Sequence, residues 1–442
     1  MPPADLAPGR ALSPARLVLS FCYFFSLLAA YYVLRPVREE MAVQFGPERA
    51  QWLFTGTFIC MTLLVPVYGA IVSKFRRRVF VPAIYAVFIG CLLTLHSLFS
   101  QAQRPDWLAP AFVIWLSVFN LYAVSVFWSF MADVWDPADA KRWFGVIAGG
   151  GTVGGIVGPA LTSLLVSKIA LSGLMLVAAG LLLLALLCSL SLSGSAKRRE
   201  NGRPLDDAPP IGGTILAGIR LIRDRSELRP LVLMMFLGVL MGSMIYIQQL
   251  GAVKAAIADS HQRTAFFANI DLSVNFLTLL AQLFVTRLIL TRISMDKVLM
   301  IPPLLACVSL AVLAMAPTVW VLTAIQILTR AGRFAITEPA FANLYTSVDR
   351  EARYKTKSFI DTAVYRFGDL SSAWMVAGLT NLGMALGGCA GLGDFAAAHP
   401  GRVRRRTRSR AALANNARAG RFGPRLSPLR RASAANAAAA SS

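Results

Sequence analysis

The chain has 442 residues, of which 56% are hydrophobic and 15% are charged, and its mean hydropathy is +0.60. Soluble globular domains carry roughly 25% charged residues, so this composition excludes an ordinary cytosolic enzyme. Of the formal net charge of +22, residues 389–442 carry +10. The remaining +12 lies mostly in short segments between apolar runs, which is typical of membrane topology rather than of a nucleic-acid-binding groove. We therefore predict a membrane protein that has the lipid bilayer, and no nucleic acid, as a partner.

Eleven apolar runs are long enough to cross a bilayer, because a span needs ~20 apolar residues to traverse ~30 Å of hydrocarbon. Runs of this length must be helical, since unpaired backbone groups are not tolerated in lipid. The chain is therefore predicted to be all-α and polytopic. In chain order, the predicted spans are 17–34, 51–72, 79–99, 108–131, 144–167, 171–192, 231–250, 265–290, 298–316, 318–338 and 359–386.

Basic residues lie at alternate connections between these spans. Arg10 and Arg16 precede the first span, Lys141 and Arg142 follow the fourth, and the connection after the sixth span begins with the basic triplet 197–199. The intervening loops are poorer in Lys and Arg. By the positive-inside rule, this alternation predicts a cytoplasmic N-terminus.

The long connection after the sixth span divides the chain. Residues 1–192 form a first group of six spans, 193–230 form a basic cytoplasmic linker, and 231–388 form a second group of five spans. Within the linker, residues 214–225 are read equally well as an amphipathic helix on the membrane surface and as a solvated segment. This layout resembles the 6+6 helix arrangement of major facilitator carriers, with the twelfth helix missing.

The last segment, 389–442, is rich in Arg and Ala and contains eleven Arg and one Asp. After eleven spans it would lie outside the cell, where its arginines break the sidedness of every other loop. A GC-rich gene that is read out of frame encodes mainly Arg, Ala, Gly and Pro, and this segment has such a composition. We interpret it as a frameshifted product that replaces the twelfth helix; the alternative is a genuine disordered basic tail.

Two segments resemble motifs of the facilitator superfamily. The connection 69–78 (GAIVSKFRRR) is similar to its Gly- and Arg-containing loop between the second and third helices, although a generic positive-inside loop is the alternative. The fifth span contains Gly145, Gly154, Gly158 and Pro159, similar to the glycine-proline motif of exchanging members. Close helix packing by small residues is the alternative interpretation.

Ionisable residues inside spans are energetically costly and are therefore candidates for function. The tenth span places Gln326, Arg330, Arg333 and Thr337 on one helical face. An arginine this deep in an apolar helix must face a partner or a water-filled cavity, so we predict that Arg330 and Arg333 line a cavity and bind a substrate anion. The full set of candidates comprises Arg38, Arg330, Arg333, Arg366 and Asn120 for substrate binding, and Asp133, Asp271, Asp361, Asp369 and Lys357 for coupling or gating.

Four segments together resemble the ATP/ADP antiporter-type nucleotide carriers of bacteria and plastids: 32–39 (YVLRPVRE), 127–133 (FWSFMAD), 141–145 (KRWFG) and 353–366 (RYKTKSFIDTAVYR). The resemblance implies a twelve-helix carrier that exchanges nucleotides, and it assigns to Arg38 the basic position after the first span. The chain departs from this family where Tyr246 replaces an acid and Asp369 replaces a lysine. These departures imply that the anion is held differently.

The sequence therefore predicts a monomeric secondary transporter of a bacterial inner membrane, which exchanges a nucleotide or another phosphorylated anion by alternating access. A proton-coupled carrier of another organic anion and a non-transporting membrane scaffold or sensor are the alternatives. No enzymatic activity is expected, because no nucleophile–base pair is recognisable. No cofactor or metal site is expected either, since the three histidines are scattered and no cysteine pair has metal-ligand spacing.

Overall fold

The computed structural model of the protein describes residues 14–74, 77–200, 229–316, 318–344 and 363–382. These residues form eleven helices, two of which have a continuation beyond a π-helical stretch, and they contain no strand. The helices are α1 Pro14–Phe45, α2 Ala50–Lys74, α3 Arg77–Phe99, α4 Leu108–Val134, α5 Pro137–Leu165, α6 Leu171–Glu200, α7 Arg229–Ala256, α8 Ser260–Leu280 with its continuation Arg287–Arg292, α9 Met295–Met315, α10 Val319–Gly332 with its continuation Glu338–Leu344, and α11 Tyr365–Asn381.

The predicted all-α, polytopic fold class is confirmed. Within the described ranges, nine helices are both long and apolar enough to cross a membrane. The largest boundary difference is at α1, which runs to Phe45 although the first span was predicted to end at residue 34. Arg35, Glu39 and Glu40 therefore lie inside the helix and are partly or fully buried, because they find partners on other helices.

Two helices contain a π-helical stretch that the apolar pattern does not predict. In α8 it is Ala281–Thr286, and in α10 it is Arg333–Thr337. A π turn inserts one extra residue into the helical ladder, and such turns occur frequently at functional sites. The residues beyond each stretch are therefore rotated relative to a regular α-helix.

The first helix group, α1–α6, is held together by a close contact between α1 and α5. A Cβ on Gly154 would overlap the backbone oxygen of Phe25, and one on Gly150 would lie 2.5 Å from the backbone oxygen of Phe21. Gly145, one helix turn before this contact, faces open space. The glycines thus let two helix backbones approach closely, as the packing interpretation of this motif requires.

The second helix group, α7–α11, contacts the first group through three of its helices. Helix α8 packs on α1 and α5, and α11 packs on α2, while α7 also contacts α1. The predicted linker helix at 214–225 and the tail 389–442, with the question of a frameshift, lie outside the described residues. We refer to the end of the bundle where α1 begins as the Pro14 end, and to the end where it finishes as the Phe45 end.

Candidate functional site

A cavity of about 1340 Å³ lies between the two helix groups. Helices α1, α2 and α4 line it on one side, and α7 to α11 line it on the other. It is larger than the 300–1,000 Å³ that is typical of small-molecule sites. Most of its wall is apolar, and charged side chains cluster on α1, α8, α10 and α11.

Seven of the ten candidate residues from the sequence line this cavity. Asp133 does not: it lies in the last turn of α4, one residue before Val134. Lys357 and Asp361 lie outside the described residues, so their predicted coupling or gating role stays a prediction. The lining candidates are Arg38, Asn120, Asp271, Arg330, Arg333, Arg366 and Asp369.

Asp271 on α8 joins the two helix groups by ion pairs. Its Oδ1 accepts a hydrogen bond of 2.8 Å from Nη2 of Arg330 on α10 and lies 3.3 Å from Nη1 of Arg35 on α1. Asp271 is only 2% exposed, and its Oδ2 has no hydrogen-bond partner among the described residues. A buried carboxylate between two guanidinium groups holds both of them in place.

A second ion pair forms on α1 itself, around a residue that the sequence analysis missed. Glu39 accepts a hydrogen bond of 2.6 Å from Nη2 of Arg38 and a further one from the hydroxyl of Tyr246 on α7. Tyr246, at the position where the nucleotide carriers have an acid, lines the cavity and donates a hydrogen bond to Glu39. Glu39 was missed because the first span was taken to end before it.

The third cluster surrounds the ring of Tyr365 at the start of α11. The guanidinium carbons of Arg333 and Arg366 lie 4.8 and 5.5 Å from the centre of this ring. Arg333 also donates to the Tyr365 hydroxyl over 3.3 Å. Two cations close to one aromatic ring form a polar site on an otherwise apolar wall, and cation–π attraction helps to hold them there.

Each of these two arginines is also paired with a carboxylate. Arg333 donates to Oε1 of Glu338 from Nε over 3.2 Å and from Nη2 over 3.1 Å. Arg366 lies 3.3 Å from Oδ2 of Asp369, whose Oδ1 accepts a hydrogen bond of 2.6 Å from Ser243 on α7. Asp369 is buried, whereas the side chain of Glu338 is 40% exposed.

The π turn in α10 is the reason why Arg333 meets Glu338. Neighbours on the surface of an α-helix are three or four residues apart, and these two are five apart. In the π turn, the backbone N–H of Glu338 donates to the backbone oxygen of Arg333, so the two side chains share a face. The four residues of the predicted face, Gln326, Arg330, Arg333 and Thr337, all line the cavity. Glu338 was missed because a regular helix would not place it beside Arg333.

The arginines differ in how accessible they are. The side chains of Arg333 and Arg366 are 31% and 29% exposed. Arg35, Arg38 and Arg330 are each less than 20% exposed and are paired with acids that are almost fully buried. Arg333 and Arg366 are thus the cations that a ligand in the cavity reaches most readily.

The hydrogen bonds that join the two helix groups within the described ranges lie between mid-helix and the Phe45 end. The strongest connects Glu40 on α1, which is fully buried, to Arg263 on α8 by two bonds of 2.6 Å. Arg263 also donates to the backbone oxygens of Ile257 and Ala258 between α7 and α8. From mid-helix, the cavity extends towards the Pro14 end, where Pro230 and Phe341 line it.

Two groups of helices around a central, partly polar cavity are the architecture of a membrane carrier. A model of the Major Facilitator Superfamily matches residues 19–392, and the chain belongs to this superfamily of transporters. No curated protein matches the sequence at a significant level.

Several solved transporter structures share this fold at low sequence identity. The nucleoside transporter NupG aligns with a TM-score of 0.54 at 13% identity, over 84% of this chain and 92% of that chain. The human organic anion transporter MFSD10 aligns with a TM-score of 0.54 at 16% identity, over 86% and 96%. A bacterial homologue of the iron transporter ferroportin in an inward-facing state aligns with a TM-score of 0.59 at 10% identity, over 83% and 92%.

Proposed function

We propose that this protein is a secondary transporter of an organic anion whose charged group is a phosphate or a carboxylate. It lies in a bacterial inner membrane as a monomer with its N-terminus in the cytoplasm. It carries the anion through its own central cavity. Nucleotides are the first substrates to test, because the segments around Arg38 and Arg366 resemble those of nucleotide exchangers.

The observation that carries this proposal is the pair of accessible arginines, Arg333 and Arg366, around Tyr365. A guanidinium group offers several N–H donors in one plane and binds phosphate and carboxylate groups through two parallel hydrogen bonds. The Tyr365 ring contacts both cations, and all three side chains line the cavity. A scaffold or sensor without a ligand would have no need for cations exposed in a cavity.

Alternating access accounts for the distribution of contacts. By the positive-inside rule the Phe45 end is the outer end, where Glu40 and Arg263 join the two groups. We infer that the structure represents a state closed to the outside. Rocking of the two groups would break these outer bonds and open the cavity to the other side.

The test is uptake of labelled nucleotides, nucleoside monophosphates and small carboxylates into proteoliposomes, with and without the unlabelled compound inside. Exchange predicts uptake that depends on the internal compound. R333Q and R366Q should each reduce uptake by about 10- to 100-fold, because a hydrogen bond to a charged group is worth ~1.5–3 kcal/mol. R292Q is the matched control, since Arg292 is exposed at the end of α8 and does not line the cavity.

The proposal is wrong if no anion of the panel is taken up by wild-type protein, or if R333Q and R366Q transport as well as R292Q. Proton coupling is a second candidate, and the two buried carboxylates in the cavity wall, Asp271 and Asp369, favour it. In that case an imposed pH gradient would drive uptake into vesicles that contain no internal substrate. Exchange predicts no uptake under this condition.

A further inference from the structure

The charges that line the cavity are nearly balanced. Among the described lining residues there are five arginines and four carboxylates. Each arginine has a nitrogen within 3.3 Å of a carboxylate oxygen. The described part of the wall thus has an excess of one positive charge, and each of its arginines has an acidic partner.

A highly charged ligand would need more than one of these cations at once. To release them, it would have to displace Asp271, Glu39 or Asp369 from their arginines. All three are less than 10% exposed, and a buried charge that loses its partner is strongly destabilising. These ion pairs therefore resist a ligand that carries several negative charges.

Glu338 is the exception among the four carboxylates. Its side chain is 40% exposed and its partner Arg333 is 31% exposed. Exposed ion pairs contribute little to stability, so this carboxylate can turn towards solvent at small cost. A single acidic group of a ligand can then take its place on Arg333, with Arg366 beside the same Tyr365 ring.

We propose that the cavity selects organic anions of low charge, such as a phosphodiester or a monocarboxylate, over di- and triphosphates, and that Glu338 sets this limit. This inference rests on the proposed function, in which Arg333 and Arg366 bind the anion. Glu338 acts by neutralising Arg333 in the empty cavity. Removal of the Glu338 carboxylate would leave Arg333 without an acidic partner. The cavity would then favour ligands with one more negative charge.

The experiment compares one nucleoside in four forms: the singly charged methyl phosphodiester, the monophosphate, the diphosphate and the triphosphate. Their dissociation constants are measured by calorimetry with purified wild-type protein, E338Q and E48Q. Glu48 is the matched control because it is an exposed carboxylate, paired with Lys254 at the Phe45 end and absent from the cavity wall. A monocarboxylate of similar size is measured in parallel.

Wild-type protein and E48Q should bind the diester most tightly and the triphosphate most weakly. In E338Q, the ratio of monophosphate to diester affinity should rise about fivefold, as expected for one additional positive charge close to the ligand in a largely hydrated site. If E338Q does not fold, the order of affinities in wild-type protein decides by itself.

The inference is overturned if wild-type protein prefers the di- or triphosphate, or if the affinity ratio is the same in E338Q and E48Q. Either result leaves the proposed anion site intact, provided that R333Q still weakens binding. If none of the compounds binds to wild-type protein, the inference and the proposed function both fail.

Discussion

The two helix groups differ in what their buried residues do. The largest fully buried side chains of the described ranges, among them Tyr23, Tyr85, Phe112 and Phe127, all lie in the first helix group. Tyr23 contacts Phe127 edge-to-face with 4.8 Å between ring centres. Within the described ranges, the second helix group has small apolar clusters of its own, and some of its residues, such as Val253 and Phe267, belong to the large core of the first group. It supplies three of the five cavity arginines and both π turns.

This difference separates stability from binding. In lipid, apolar faces gain little by contacting each other, so close packing must hold helices together. The first helix group achieves this with aromatic side chains and with glycines that bring α1 against α5. The second helix group leaves polar side chains facing the cavity, at positions where a tightly packed helix could not accommodate them.

The largest expected effect in this comparison comes from the glycine contact. G154A places a Cβ against the backbone oxygen of Phe25, which cannot move without displacing α1. We expect loss of the folded, monodisperse protein after detergent extraction. G145A on the same helix is the control, because nothing lies within 4 Å of the added Cβ. Equal yields and size-exclusion profiles for the two variants would contradict the role of this contact.

A smaller loss of stability is expected in the aromatic core. Phe127 is fully buried between Tyr23, Phe24 and Trp128, and F127A should reduce the free energy of unfolding by about 3–5 kcal/mol. F284A in the second helix group is the control, because the ring of Phe284 is 71% exposed and packs little against other residues. Thermal unfolding in detergent should show a clearly lower melting temperature for F127A only. Similar shifts for both variants would mean that the groups are equally packed.

The contact between the groups should affect conformation more than folding. E40Q weakens the charged hydrogen bonds to Arg263, each worth ~1.5–3 kcal/mol, and so favours opening at the Phe45 end. The readout is maleimide labelling of an engineered cysteine at Val253, which is fully buried near the end of α7, in a background without native cysteines. Labelling should be faster in E40Q.

E48Q is the control for this prediction, because Glu48 pairs with Lys254 at the same end but is exposed, and such pairs contribute at most ~1 kcal/mol. Its labelling rate should match that of the unmodified background. If E40Q also labels at the background rate, the Glu40–Arg263 pair does not hold the Phe45 end closed.

The all-α, polytopic fold class could be predicted because a run of about twenty apolar residues in lipid must form a helix. The helix ends were less predictable. Charged residues were taken to end the first span, but Arg35 and Glu40 remain in α1 because their partners, Asp271 and Arg263, come from α8. Such partners are distant in sequence and are not visible in a local pattern.

The cavity could be predicted only in part, for a similar reason. Arg330 and Arg333 could be predicted to line a cavity because lone charges in apolar helices are energetically costly. Their acidic partners are visible only in the structure. Asp271 lies on another helix, and Glu338 comes into contact through a π turn whose extra residue leaves no mark in the apolar pattern. The balance of charges in the cavity, from which its selectivity is inferred, depends on these partners.

The central claim, that the second helix group binds an anion through Arg333 and Arg366 while the first provides stability, is tested most directly by one pair of measurements. These are the affinity for the tightest-binding anion of the panel and the melting temperature without ligand, both on the R333Q/R366Q double variant. The account predicts at least a ~10-fold loss of affinity and an unchanged melting temperature. Unchanged affinity, or a collapse of the melting temperature, would contradict it.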